Sequence, residues 1–220
     1  MAVIKKPNKL LIFGATKGGQ ELLKVIIDDI NKVSYTWEVI GFIDYDISKK
    51  GTTVSGYPVL GHQYDQDPRG IYGICGVMDN DIRQKVTDEN IIGKGFNLAS
   101  LVHPSVIATG DFIYGPGAVV FPGCKISYNV RLGRGVFVSY NCLLGHSLAI
   151  DDFTFIGPSV TIPGDCRIGK SCTIGAGCNF LQQISVGDRT TIGIGTTLTK
   201  SVGDHKLVMD FPRTVETDKN

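Results

Sequence analysis

The chain has 220 residues, 42% hydrophobic and 20% charged, and its 22 Lys and Arg against 21 Asp and Glu leave a formal net charge of +1. So even a balance gives no electrostatic footprint for nucleic acid or for an anionic membrane surface, and neither is an expected partner. No run of about 18 apolar residues is present to span a bilayer, and the N-terminal Met1-Ala2-Val3-Ile4-Lys5-Lys6 lacks the apolar core of a secretory signal, so a cytoplasmic protein is expected.

Residues 9–13 (Lys-Leu-Leu-Ile-Phe) form a short apolar run that reads as a buried strand. The glycine-bearing turn 14–19 follows, and then residues 20–30, whose apolar positions Leu22, Leu23, Ile26, Ile27 and Ile30 have helical spacing. Strand, glycine turn and helix open a nucleotide-binding unit, in which N–H groups at the helix start receive phosphate; the same pattern also serves as a plain tight turn. A second strand at 37–43 runs into Asp44-Tyr45-Asp46, where an acid either holds a ribose or simply ends the strand in solvent. Further strands are expected near 57–61, 70–78 and 96–102, with a helix opening at Asp79 or Asn80 as N-cap. Alternating strands and helices predict a small α/β domain with a parallel sheet over residues 1–101.

From Val102 to Gly203 the chain reads in sixes. A bulky residue falls on almost every first position (Val102, Ala108, Tyr114, Val120, Ile126, Leu132 and onward to Leu198), and the fifth position is small or apolar throughout. An uninterrupted period of six predicts a parallel β-helix in which three short strands make each triangular coil. At a strand spacing of about 4.8 Å the coils build a prism on the order of 25 Å tall. No hexad buries its apolar face alone, so the coils of the second domain, 102–220, form one cooperative unit.

Five of the six cysteines (Cys124, Cys142, Cys166, Cys172 and Cys178) occupy the fifth hexad position and read as core packing. Cys124 and Cys142 lie eighteen residues apart and stack in adjacent coils, close enough for a disulfide, although free thiols fit a cytoplasmic chain. Cys75 sits in an apolar run and reads the same way; no metal site is expected, because no C-x-x-C pair occurs. Of the four histidines, His62 lies in a loop, His103 at the domain junction and His205 beyond the repeat. His146 falls at the third position of its hexad, at an outward corner between Gly145 and Ser147.

The order Gly-Ala-Thr-Lys-Gly-Gly, Gly-Phe-Ile-Asp, Tyr-Pro-Val-Leu-Gly, Asp-Asn-Asp-Ile-Arg and Val-His-Pro-Ser before hexapeptide repeats resembles the bacterial sugar acetyltransferases of the PglD/NeuD type along almost the whole chain. The resemblance implies a left-handed β-helix and a homotrimer with active sites between subunits. It also implies acetyl-CoA as cosubstrate without a metal, and a nucleotide-linked amino sugar held by the N-terminal domain. The nucleotide-contacting turn, which opens at Gly14, then matches Thr16, Lys17 and Gly18, and the acidic pair matches Asp44 and Tyr45, the second acid being tyrosine here. Met78 stands where the family often has glycine and intrudes on that site. The catalytic histidine matches His146, and the residue after it, usually an acid that helps the imidazole, is Ser147. A second histidine that contacts the coenzyme falls on Phe155, and backbone contacts to the coenzyme map to Gly164, Ala176 and Ile194. Lys200 or Arg213 is expected to meet its phosphates.

The expected reaction is direct N-acetylation of a nucleotide-linked amino sugar, a UDP-4-amino sugar in the first instance, with His146 as general base. Ser147 in place of the helper acid tilts the reading toward an amine and away from a sugar hydroxyl of the sialic acid type, because a hydroxyl asks more of its base. Asp151 or Asp152 folding back, or an acid from a neighbouring chain, would replace the missing carboxylate. A zinc hydratase on the same solenoid needs three converging histidines, of which the repeat carries only His103 and His146. A trimer that binds nucleotide sugars without catalysis is the remaining alternative.

Overall fold

The computed structural model describes residues 6–34 and 36–210. Strand β1 (Asn8–Phe13) leads through the glycine turn to helix α1 (Lys17–Lys24), which widens to a π turn over Val25–Ile30 and ends as α2 (Asn31–Val33). Strands β2 (Trp37–Ile43), β3 (Thr53–Val54), β4 (Tyr57–Gly61) and β5 (Tyr72–Cys75) follow, then helix α3 (Asn80–Lys85), a second π turn over Val86–Ile91, and strand β6 (Asn97–Leu98). They form one six-stranded sheet in the order β3-β4-β2-β1-β5-β6, parallel except for the β3–β4 pair. Asp79 is the N-cap of α3, its side chain accepting from the N–H of Ile82 at 2.9 Å.

The continuous strand expected over 96–102 is two strands. β6 closes the first sheet, whereas β7 (Leu101–Val102) pairs with Val119–Val120 as the first rung of the solenoid, so the chain changes sheets at Ala99 and Ser100.

The solenoid is a left-handed parallel β-helix with three faces. Face 1 carries β7, Val119–Val120, Phe137–Val138, Phe155–Ile156, Thr173–Ile174 and Thr191–Ile192. Face 2 carries Ile107–Ala108, Lys125–Ile126, Leu143–Leu144, Thr161–Ile162, Asn179–Phe180 and Thr197–Leu198; face 3 runs from Phe112–Tyr114 to Ser185–Val186. Every rung pairs with the residue eighteen positions on, as in Phe137 with Phe155 and Leu143 with Thr161. The first-position residues from Val120 to Leu198 fill the core together with all five hexad cysteines, which are free thiols. The first coil departs from the expected pattern: Ala108 is exposed and Tyr114 is 44% exposed, because no coil lies beneath to cover them. A seventh strand on face 1, Leu207–Val208, escapes the sequence reading, since it pairs with Thr191–Ile192 at a spacing of sixteen, two residues short of the repeat.

The corners turn through residues in the left-handed backbone region, including Asn129, Ser147 and Asp165 with φ of 55°, 53° and 61°. Short polar side chains bear that conformation better than branched ones, which suits the Asn, Ser and Asp that take most of these corners, although Phe153, Gln183 and Arg189 adopt it too.

Face 1 is not free. Leu101, Val119, Phe121 and Phe137 share one apolar cluster with Leu10, Ile12, Leu22 and Leu23, so the N-terminal sheet and α1 lie on the lower coils. Arg83, 1% exposed, pins this contact. Its guanidinium donates to the carbonyls of Gly135 (3.1 Å), Phe153 (2.7 Å) and Met78 (2.8 Å) and to Asn80 Oδ1 (2.8 Å), and lies 4.8 Å from the Phe137 ring centroid. Burial pushes the guanidinium down to about 10. Asn80 adds bonds to the carbonyl of Cys172 (2.9 Å) and to Thr173 Oγ1 (3.0 Å).

Candidate active site

His146 stands at the corner between faces 2 and 3, the corner opposite face 1, with its side chain 41% exposed. The eighteen-residue period stacks Tyr128 below it and Gly164 above it. The Tyr128 ring lies parallel to the imidazole, 5.3 Å between centroids and 10° between planes. On the other side the imidazole occupies the volume a side chain at Gly164 would need: a Cβ there would overlap Cε1 and Nε2 and come within 2.9 Å of Cδ2. The ring is therefore held from both faces. Its Nδ1 lies 4.0 Å from Asp165 Oδ1, and the Asp165 N–H donates to the His146 carbonyl at 2.9 Å. Ser147 does not reach into this arrangement; its Oγ receives Asn129 Nδ2 at 3.3 Å. Beside the histidine a groove of about 390 Å³ runs along face 2, lined by Ile107, Thr109, Lys125, Ile126, Leu143 and His146 among others.

The glycine turn and the acid after β2 come together as expected, but they serve each other. Asp44, 8% exposed, takes the Ala15 N–H (2.8 Å) and Lys49 Nζ (2.9 Å) on Oδ2 and the Asp46 N–H (2.9 Å) on Oδ1. Burial pushes this carboxyl up, and the bonds from Asp46, Lys49 and Ala15 outweigh it and hold Asp44 below the usual carboxylate range. Thr16 caps α1 by accepting from the Gly19 N–H at 3.3 Å and donates to the Gly76 carbonyl at 3.3 Å. Gly18 packs so closely on β5 that an added Cβ would overlap the Gly76 carbonyl and lie 2.8 Å from Met78 Cε. Lys17 and Tyr45 are exposed beside this turn, so the start of α1 with Lys17 is the part of it open to an anion.

The remaining expected positions are spread over the solenoid. Phe155 lies on face 1, packed toward the N-terminal domain, and with Met78, Asn80, Thr173 and Arg189 lines a second cavity of about 430 Å³. Ala176 and Ile194, the latter 78% exposed, stack at the corner between faces 1 and 2, across face 2 from His146 and Gly164. Within one chain these positions do not converge on His146. Lys200 is exposed at the top of the solenoid, and Arg213 lies outside the described residues. Asp152 is turned away, its Oδ1 accepting the Arg134 N–H at 2.8 Å at the corner between faces 3 and 1.

Residues 150–182 match the family model for the bacterial transferase hexapeptide, six repeats. No curated protein matches the chain. Among solved structures, the acetyltransferase domain of PglB from Neisseria gonorrhoeae in complex with acetyl coenzyme A superposes with a TM-score of 0.81 at 27% identity, over 93% of this chain and 97% of that one. PerB from Caulobacter crescentus, in complex with CoA and GDP-perosamine, shares the fold at 20% identity with a TM-score of 0.81, over 95% and 97% of the two chains. WeeI from Acinetobacter baumannii does so at 20% identity and 0.81, over 91% and 96%. The chain is an acetyltransferase with the hexapeptide-repeat fold, similar along almost its whole length to the PglB domain.

Sequence reading of this acetyltransferase missed two residues that matter for its geometry. Lys49, five residues beyond Asp44, is the counter-ion that ties the acid into the turn, and nothing in the local sequence marks it. Asp165 carried a signal: it sits eighteen residues beyond Ser147, and the coil period puts it directly above the position the helper acid was expected to fill. The other histidines of the acetyltransferase stand apart from the groove. His103 is bound into the domain junction, its Nδ1 2.7 Å from Ser105 Oγ and its Nε2 3.3 Å from Asp29 Oδ2. Among the described residues no group of three His, Cys, Asp or Glu side chains could hold a metal ion, and no helix is long and apolar enough to cross a membrane.

Proposed function

We propose that the chain transfers the acetyl group of acetyl-CoA to the amino group of a nucleotide-linked amino sugar, a UDP-4-amino sugar in the first instance, with His146 as general base. The observation that carries this reading is the imidazole fixed on both faces at the rim of an open groove. The likeness along the whole chain to the PglB domain, solved with acetyl coenzyme A, supports the donor. PerB, solved with CoA and GDP-perosamine, supports the acceptor class.

The amine nitrogen attacks the thioester carbonyl carbon, forming the new C–N bond and a tetrahedral oxyanion. His146 takes the proton that the nitrogen loses, the C–S bond breaks, and the imidazolium returns that proton to the departing thiolate. A backbone N–H is the natural donor to the oxyanion. No covalent intermediate on the enzyme is needed. The coenzyme lies along face 2, between the edge formed by His146 and Gly164 and the edge formed by Ala176 and Ile194, with Lys200 toward its phosphates. A sugar hydroxyl is the second reading. Asp165 Oδ1, 4.0 Å from His146 Nδ1, supports it, because a carboxylate beside the imidazole would meet the greater demand that a hydroxyl makes on its base.

Incubation with acetyl-CoA and a panel of uridine-, guanosine- and cytidine-linked amino and hydroxy sugars, reading thiol release, tests this directly. Turnover is expected with an amino sugar; release only with hydroxy sugars establishes the second reading, and release with none discards both.

The nucleotide turn lies on the domain that covers face 1, whereas His146 stands at the opposite corner, so a complete site draws on neighbouring protomers. A homotrimer is the arrangement proposed. Sedimentation equilibrium is expected to give three times the chain mass, and a particle of 23.7 kDa at micromolar concentration would eliminate the arrangement.

A further inference from the structure

We propose that Asp165, one coil above, is the carboxylate that positions His146, in place of an acid adjacent in sequence; the inference rests on the reading of His146 as the base. In a solenoid with an eighteen-residue period, a corner residue has two kinds of neighbour: the next residue along the chain and the residue one coil away. Ser147 and Asp165 are those two neighbours of the imidazole, in the same left-handed column of the corner. Ser147 turns to Asn129, at 3.3 Å, while Asp165 Oδ1 faces Nδ1 at 4.0 Å. The column thus offers an acid from the next coil in place of one from the next residue.

Within the chain, Asp165 is the carboxylate that the structure sets against the ring. Tyr128 covers one face and Gly164 the other, and Lys125 lines the same groove from the coil below. Asp152 is engaged by Arg134 at another corner. A separation of 4.0 Å is longer than a hydrogen bond, and catalytic hydrogen bonds are commonly long in the free enzyme and shorten in the complex. The carboxylate at Nδ1 does two things. It favours the tautomer with the proton on Nδ1, which leaves the lone pair on Nε2, and it stabilises the imidazolium formed when Nε2 takes the amine proton. Asp165 stays ionised throughout and receives no proton.

The test compares the parent with Asp165→Asn, Ser147→Glu, the double variant and His146→Asn. On whichever nucleotide sugar gives thiol release, kcat and KM are measured as a function of pH, and circular dichroism checks the fold. Asp165→Asn should lower kcat about 10- to 100-fold, part of the whole worth of a general base, with KM unchanged. Ser147→Glu in the Asp165→Asn background should recover most of the rate, because it offers a carboxylate at the corner beside the ring. Nitrogen-15 NMR of the protein alone should show His146 mainly in the Nδ1–H tautomer in the parent and in a more even mixture in Asp165→Asn. Parent-like kcat and nitrogen shifts in Asp165→Asn, with His146→Asn inactive, would overturn this assignment while leaving the base in place. Full activity in His146→Asn would instead remove the base, and Asp165's role with it.

Discussion

His146→Asn should lower kcat/KM for the sugar about 10²- to 10⁴-fold, the usual worth of a general base, while leaving the fold and acetyl-CoA binding intact. Asparagine keeps a planar polar group of similar reach, so the corner loses a proton acceptor and little packing; the ring is already 41% exposed and lies over Tyr128 and Gly164. The effect should fall on kcat more than on KM, since proton removal matters only as the transition state forms. Gly164→Ala gives a complementary result through packing against the base. The new methyl group would occupy the space of Cε1 and Nε2 and push the ring off its stack, and a misplacement of about 1 Å is enough to cost roughly 10²-fold. Steady-state kinetics with purified variants checks both, and a His146→Asn enzyme of parental activity would end the case for this histidine.

Arg83→Ala should destabilise the protein by roughly 3–5 kcal/mol, the sum of buried acceptors left unpaired and a cavity in the junction. The arginine is 1% exposed and satisfies the carbonyls of Gly135, Phe153 and Met78 and the Asn80 side chain at once. Removing it leaves those acceptors unpaired, at about 1–3 kcal/mol for each that finds no substitute, and opens a cavity against Phe137. For a chain of this length the melting temperature should fall by about 6–20 °C. Because the lost bonds link α3 to the solenoid corners, Asn80 should also loosen its hold on Cys172 and Thr173, so fluorescence of Trp37 in the N-terminal domain should report an earlier transition than far-ultraviolet circular dichroism of the solenoid. Arg83→Lys should recover little, since one ammonium cannot replace a planar fork reaching opposite sides of the same cleft. A melting curve of Arg83→Ala that overlays the parent would show that the apolar cluster alone holds the two parts together.

The solenoid was readable because its information is local and repeated: residues at a spacing of six face the core whatever else the chain does, and Val120, Ile126, Leu132 and their successors are buried accordingly. The cysteines were readable for the same reason, and β1, α1 and β2 followed from short apolar runs bounded by glycine and acid. The limits of that reading fall where a neighbour comes from outside the local pattern. Ala108 and Tyr114 are exposed because the first coil has nothing beneath it, and Leu207–Val208 completes face 1 through a shortened coil that the six-residue count cannot register. Asp44 was visible as an acid at a strand end; whether that acid meets a ligand or Ala15, Asp46 and Lys49 depended on how two loops dock. Leu101, Val119 and Phe137 point outward from the solenoid, and only the arrival of the N-terminal sheet buries them. By itself the sequence determined the repeat, its core and the corner on which His146 stands. Tertiary structure alone decided what surrounds that histidine, because Tyr128, Gly164 and Asp165 come to it by the stacking of whole coils, and the distance between side chains on adjacent coils is set by backbone hydrogen bonds rather than by adjacency in the chain.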